Sequence, residues 1–355
     1  MNTTDLTSLF VSPHHTMFEV MQRINETAQG ISLVLDSKGR LVDTVTDGDL
    51  RRAVLRGTDL RRSISELRSE PHRPFTMPVS TPRAELARIF RETKLRHIPL
   101  VDDVEHVVDM VQLGDLLSDQ SSGLGISAVV MAGGYGARLR PLTNEVPKPM
   151  LPLRDKPLLE HTIENLRRYG VQQVYMTTHY KPEAFSNHFG DGRAFGVQID
   201  YIHEEQPLGT AGVLSALPQG DDPLLVINGD IVTDVSYEAM WRFHQESDAE
   251  MTVGVRQYEF GVPYGVMEME GSNVRGLTEK PTHHFFVNAG VYLLERGATQ
   301  LVPPGCSFDM PQLIESLVSL NKKVIGFPIS EYWLDIGRMA DYEKARSDAE
   351  AGRCA

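Results

Sequence analysis

The feature that most limits how this chain can fold is a repeat in its first third. One copy reads Ile31-Ser32-Leu33-Val34-Leu35-Asp36, a polar turn around Lys38-Gly39, then Leu41 to Leu50 through Thr46-Asp47-Gly48-Asp49. The other reads Ile98-Pro99-Leu100-Val101-Asp102-Asp103, a turn, then Val107 to Leu116 through Gln112-Leu113-Gly114-Asp115. Each copy is predicted to form a two-stranded hairpin that opens into a helix at Asp49 or Asp115. Apolar residues spaced by three and four predict a further helix ahead of each hairpin, on Phe18, Met21 and Ile24 in one and Leu86, Ile89 and Phe90 in the other. Such a unit leaves an apolar face wet when alone, so two copies are expected to share one core.

The pattern changes after the small, polar stretch from Asp119 to Gly125, which reads as a linker. Ala128-Val129-Val130-Met131 is a continuous apolar run, as expected for a parallel strand buried on both faces. A helix is predicted from Pro157, with Leu159, Ile163 and Leu166 on one face and Gly170 at its end. Val171 to Thr177 and Leu224 to Ile227 read as further strands. Alternating strands and helices imply an α/β fold, a doubly wound and mostly parallel sheet. The expected organisation is a smaller α/β module over 1–120, a linker over 121–126 and the larger domain over 127–346.

Bulk properties exclude several functions. Of 355 residues, 41% are hydrophobic and 23% charged, enough apolar residues for two cores. No apolar run approaches the ~20 residues needed to span a bilayer, and the polar start has no signal-peptide pattern, so no membrane partner is expected. The formal net charge is −13, which argues against nucleic acid as a partner. With only Cys306 and Cys354, a disulfide framework is excluded and a cytoplasmic location is expected. Phosphorylated small molecules remain possible substrates where a few cations gather locally.

Such cations flank the most informative segment, Met131-Ala132-Gly133-Gly134-Tyr135-Gly136-Ala137-Arg138-Leu139 followed by Pro147-Lys148-Pro149. It follows the first strand of the larger domain, where ligands bind in open α/β sheets, and its glycines let backbone N–H groups approach phosphate oxygens. Leu139 stands where a dinucleotide fingerprint has its third glycine, and no Gly-Lys-Ser/Thr follows, so this is not a P-loop. The adjacent pairs His14-His15 and His283-His284 do not read as metal clamps, because neighbours in a strand point to opposite faces.

Two resemblances follow from these residues. The repeat, through Thr46-Asp47-Gly48-Asp49-Leu50-Arg51-Arg52 and Arg96-His97-Ile98-Pro99-Leu100-Val101-Asp102, resembles a tandem pair of CBS domains. The glycine-rich loop with its Pro-Lys-Pro resembles the sugar-nucleotide pyrophosphorylase family of sugar-1-phosphate nucleotidyltransferases. Further segments agree in order: Glu204 to Gly212, Asn228-Gly229-Asp230, Glu279-Lys280-Pro281, Val287 to Gly290, and Trp333 to Gly337.

The second resemblance implies an enzyme that joins a nucleoside triphosphate to a sugar 1-phosphate and releases pyrophosphate. It implies nucleotide contacts at Ala132, Gly133, Gly134, Gly136, Gly209 and Thr210. It gives Arg138 the leaving pyrophosphate, Lys148 the reacting phosphates and Lys280 the sugar phosphate. Gly265, Glu279, Asn288 and Gly290 would border the sugar, and Asp230 and Asp335 would share Mg²⁺, with Mn²⁺ able to substitute. Phe308-Asp309-Met310-Pro311 looks like a guanylyltransferase branch acting on hexose or amino-sugar phosphates in bacterial surface-glycan synthesis. The lean is thus to GTP, with thymidylyl, cytidylyl or uridylyl transfer as alternatives.

Two other classes share part of the pattern. A nucleotide-sensing protein with a decayed catalytic domain would have lost some of Arg138, Lys148, Asp230 and Asp335, all of which are present. A transferase for choline-type phosphates would not need the segment from Glu279 to Gly290. The CBS resemblance implies a regulatory purine nucleotide held by Thr46 and Asp49. The second copy has Gln112 and Asp115, so one competent site per module is expected. Both resemblances imply a homo-oligomer.

Overall fold

The computed structural model describes residues 6–68, 72–93, 95–113 and 124–354. It divides into two units, Met1–Ser121 and Ser122–Ala355. The end of the second repeat at Asp115 and residues 121–123 of the expected linker lie outside the described residues.

In the first unit, Thr16 and Glu19 form a capping box that starts the helix Met17–Thr27. The buried face is Met17, Val20, Met21 and Ile24, while half of Phe18 is exposed. Met21 and Ile24 lie on the expected face, but Phe18 does not, because it sits roughly 100° around the helix from Met17, which completes the buried stripe instead. Ile31–Leu35 pairs antiparallel with Leu41–Thr46, and Phe10–Val11 lies parallel on its other edge. The second copy repeats this three-strand order with Met77–Pro78, His97–Val101 and Val107–Gln112. Even the register breaks correspond, between Val34 and Leu35 in one hairpin and Leu100 and Val101 in the other. The predicted helix before the second hairpin is Arg83–Glu92, with Leu86 and Phe90 buried.

The sheet of the second unit has seven strands: β1 (Ser127–Met131), β2 (Gln173–Thr178), β3 (Gln198–His203), β4 (Leu224–Asn228), β5 (Met251–Gly261), β6 (Thr282–Leu294) and β7 (Val324–Pro328). Their spatial order is 3-2-1-4-6-5-7. Strands β3, β2, β1 and β4 run parallel, β6 is antiparallel to β4 and β5, and β7 is parallel to β5. This is the expected mostly parallel sheet, and its inner strands are apolar throughout because both faces are covered. The helix Leu158–Arg168 buries Leu159, Ile163 and Leu166 completely. Gly170, at φ +75°, ends it.

Chain order reverses between β1 and β4, and that reversal opens a crevice at their carboxyl ends. The loops leaving the two strands meet there, where the Gly229 N–H donates to the Met131 carbonyl at 2.8 Å. Among the described residues no helix is long and apolar enough to cross a membrane.

Candidate active site

The crevice is a cleft of about 410 Å³. Its floor is the first loop, with Ala132, Gly133, Gly134 and Gly136 all in the wall. Gly136 has φ +60°, and a Cβ there would lie 2.9 Å from Lys148 Cβ and 3.0 Å from Thr143 Cγ2. Only glycine lets the loop turn this tightly against the Lys148 segment. The loop then passes into the short turn Ala137–Leu139. Leu139 is fully buried and anchors that turn, whereas Arg138 stays exposed in the cleft wall. Lys148 enters from the turn Lys148–Met150; its nearly buried ammonium sits 2.6 Å from Asp230 Oδ2.

The facing wall is the turn holding Gly209 and Thr210. Asp309 Oδ1 accepts the Thr210 N–H at 2.8 Å, and Thr210 Oγ1 accepts the Met310 N–H at 2.8 Å. The Phe308 carbonyl accepts from both Ala211 and Gly212. A Cβ on Gly209, at φ +76°, would lie 2.6 Å from Asp309 Oδ1. Phe308-Asp309, which the sequence offered only as a branch marker, is thus the buttress of the second loop. Nothing local could reveal this, since Thr210 and Asp309 are 99 residues apart.

A third group has no role of its own in the motifs, although Glu204 opens the second-loop segment. Glu204 follows β3, lines the cleft and is buried. Its Oε2 lies 2.8 Å from where a Gly133 Cβ would stand. Burial pushes its carboxyl above the ordinary range, against the pull of the His179 charge and the Leu208 N–H. His179 ties the loops together. Its Nδ1 donates to the Glu204 carbonyl at 2.7 Å, and its Nε2 lies 2.6 Å from the Tyr135 hydroxyl oxygen.

Asp230 and Asp335 are brought together by the pairing of Ile231–Thr233 with Trp333–Asp335. The Ile336 N–H donates to the Asp230 carbonyl at 3.0 Å. The Asp335 carboxyl is pushed up by partial burial and by the Asp230 charge, against Lys148 and Arg138. This accumulation of negative charge suits a divalent cation. Among the described residues, no three His, Cys, Asp or Glu side chains gather into a metal-holding group. Two carboxylates leave most of an Mg²⁺ shell to phosphates and water, which is how that ion is usually held.

The remaining predicted residues lie elsewhere. Gly290 backs the cleft wall: a Cβ there would meet Asn228 Nδ2 at 2.7 Å and Ile231 Cδ1 at 2.4 Å. Asn288 Oδ1 accepts the Gly290 N–H at 3.0 Å. Gly265, Glu279 and Lys280 are exposed beyond the sheet and do not line the cleft; a Cβ on Gly265 would lie 2.9 Å from Glu279 Oε2. The expected sugar-side residues are therefore divided: Asn288 and Gly290 adjoin the cleft, while Gly265, Glu279 and Lys280 lie apart from it. In the first unit, Thr46 and Asp49 cap the helix Asp47–Leu55 and bind each other, Thr46 Oγ1 donating to Asp49 Oδ2 at 2.8 Å. Arg52 and Arg68 also reach Asp49, at 3.0 and 3.1 Å. Burial alone would raise the Asp49 carboxyl, but Thr46 and the two guanidinium groups outweigh it and hold it low.

A glycine turn at a strand-order reversal, with two cations and two carboxylates beside it, defines a site for polyphosphate chemistry. The nucleotidyl transferase family model matches residues 127–352 and the CBS domain model matches 3–56 and 64–121. The chain belongs to the nucleotidyl transferase family and carries two CBS domains ahead of that region. It is 34% identical over 236 residues to a mannose-1-phosphate guanylyltransferase of Mycobacterium tuberculosis, covering 64% of this chain and 65% of that one. A D-glycero-alpha-D-manno-heptose 1-phosphate guanylyltransferase of Aneurinibacillus thermoaerophilus is 31% identical, over 63% of this chain and 99% of its own. Among solved structures, HddC from Yersinia pseudotuberculosis superposes with a TM-score of 0.50 at 25% identity, over 63% of this chain and 99% of that one.

Proposed function

We propose that this chain joins a nucleoside triphosphate to a sugar 1-phosphate. A phosphate oxygen of the sugar attacks the α-phosphorus, the bond to the β-phosphate breaks, and pyrophosphate leaves with the electron pair. The supporting observation is the cleft itself, where Arg138, Lys148 and Asp230 line one wall beside a glycine turn and Asp335 lies near enough to interact electrostatically with all three. Both reactants are anionic and a phosphate monoester is already nucleophilic, so the protein's task is to position and to neutralise. Lys148, held by Asp230, directs its charge at the reacting phosphates, and Arg138 meets the departing pyrophosphate. Mg²⁺, with Asp230 and Asp335 as its protein ligands, would supply further neutralisation of the triphosphate. Lys280, Glu279 and Gly265 would serve the sugar phosphate from outside the nucleotide cleft. We assign this reaction to 127–346, a regulatory role to 1–120, and the join to 121–126.

The proposed base is guanine. Glu204 offers a desolvated carboxylate, and guanine presents adjacent N1–H and N2–H donors that match its two oxygens. Uracil and thymine offer one N–H between two carbonyls, which would face a carboxylate badly. Two relatives that the chain matches are named as guanylyltransferases. With mannose, glucose and glucosamine 1-phosphates, pyrophosphate release should be fastest from GTP. Glu204→Gln should lower kcat/KM for GTP by about 10–100-fold, the worth of a charged hydrogen bond, and narrow the gap to the other triphosphates. An enzyme indifferent to the base, or a variant that keeps full preference, would sink this assignment.

The proposed regulator is a purine nucleotide whose ribose binds Asp49. Arg68 shares Asp49 Oδ2 with Thr46 while Arg52 takes Oδ1, so in this scheme the ribose competes with Arg68 for Asp49. Calorimetry on the full chain should give one purine site per chain, lost in Asp49→Ala and tightened in Arg68→Ala. Two equivalent sites, or binding indifferent to both changes, would refute the scheme.

A further inference from the structure

Tyr135 is the one large side chain within the glycine loop from Gly133 to Gly136, and phosphate binding does not account for it. Backbone N–H groups cradle phosphates without help from a side chain. Nor does Tyr135 belong to a core, since it is 48% exposed and lines the cleft. Its ring is nevertheless fixed. The hydroxyl oxygen lies 2.6 Å from His179 Nε2, and the His179 ring stands at 88° to it with centroids 5.2 Å apart. The Tyr180 ring lies 5.7 Å away on a tilt of 52°. Both neighbours are anchored in turn, His179 by the Glu204 carbonyl and Tyr180 by its hydroxyl donating to the Asn144 carbonyl at 2.9 Å. A ring so held loses little rotamer freedom when something packs on it.

Sheet order tells what would pack there. Tyr135 follows β1, His179 follows β2 and Glu204 follows β3, and these strands are neighbours in that order. Asp230 follows β4, on the other side of β1. Because the Tyr135 hydroxyl meets His179, it points to the Glu204 side of the cleft and away from Asp230. The floor on that side is bare. A Cβ on Gly134 would meet nothing within 4 Å, and one on Gly133 would crowd Glu204 Oε2 and His179 Cβ, at 2.8 and 3.4 Å. A triphosphate whose phosphates lie by Lys148 and Asp230 therefore carries its base over this floor, beside Tyr135.

We infer that the Tyr135 ring stacks against the base of the bound nucleoside triphosphate. The inference rests on the nucleotide reading of the cleft given above. Stacking registers a flat π face whatever groups stand on its rim, so it complements Glu204, which is assigned the rim. A phosphate is a poorer partner, because the polar atom of the phenol is already engaged by His179. The sugar is a poorer one too, because Asn288 and Gly290 lie on β6, beyond β4 from Tyr135. Tyr135 would then raise affinity for any triphosphate that carries a base, and Glu204 would choose among them.

Calorimetry on the full chain in Mg²⁺ tests this with two probes, GTP and inorganic tripolyphosphate, which has the phosphates and no base. Tyr135→Ala should weaken GTP binding by about 10–100-fold, the usual range for losing one base–aromatic stack, and leave tripolyphosphate binding unchanged. Tyr135→Phe, which keeps the ring, should bind GTP nearly as the unaltered chain does. An alanine variant that binds GTP like its parent overturns the inference. Equal losses for GTP and tripolyphosphate would do so as well, by making Tyr135 a residue that shapes the loop or holds phosphate. So would a phenylalanine variant as weak as the alanine one, since the effect would then lie in the hydroxyl. Failure of the nucleotide reading shows separately, as an unaltered chain that binds neither probe, and the stacking falls with it.

Discussion

Replacing Arg138 by alanine should slow pyrophosphate release by about 10²–10³-fold, the usual cost of losing one preorganised charge at a reacting phosphate, while leaving the melting temperature where it was. The expectation comes from the division of labour within one short turn. Leu139 supplies its burial, and the neighbouring Arg138 is exposed. Removing the guanidinium therefore takes no packing from the core. Lys148 makes the contrast, because its ammonium is nearly buried against Asp230. Lys148→Ala should cost activity and stability together, since it leaves a carboxylate without its partner. Paired melting curves and turnover measurements check both. Normal turnover with a lowered melting point in Arg138→Ala would make that residue structural.

The parts of this architecture visible in the sequence are those written in local pattern. Apolar runs marked β1 and β4, and three-and-four spacing marked the helix carrying Leu159, Ile163 and Leu166, because burial on a known face demands those periods. The glycine loop was legible for a similar reason, as Gly136 must adopt a positive φ against Lys148. Met21 and Ile24 fell on the buried face but Phe18 did not, because three-and-four spacing admits either Met17 or Phe18 ahead of Met21 and the buried Val20 selects Met17. Asp309, His179 and Glu204 stayed hidden because their roles come from distant chain brought alongside. The same limit applies to Lys280 and Glu279, whose motif reads clearly while their place outside the cleft depends on how far β5 and β6 run past the rest of the sheet.

Asp335→Asn should abolish most turnover and, at neutral pH without metal, raise the melting temperature. Partial burial and the facing Asp230 charge lift the Asp335 carboxyl above its ordinary value of 3.8. Between that value and the raised one, the folded chain holds a proton that the unfolded chain has released, so this group's contribution to stability falls as pH rises through the window. Above it, an ionised Asp335 works against the fold, and the amide removes that charge. The variant's advantage should therefore shrink as pH is lowered through the window and vanish once Asp335 is protonated. Asp230→Asn should also lose most turnover, but with no gain in stability, because Lys148 forfeits its partner at 2.6 Å. Adding Mg²⁺ with GTP should raise the melting temperature of the unaltered chain by binding only the folded state, and this gain should be much smaller in both variants. Chelation should stop turnover reversibly. Full activity in excess chelator, or an Asp335→Asn protein that melts no higher than its parent at neutral pH, would show that these two carboxylates are not a metal site held at a cost to the fold.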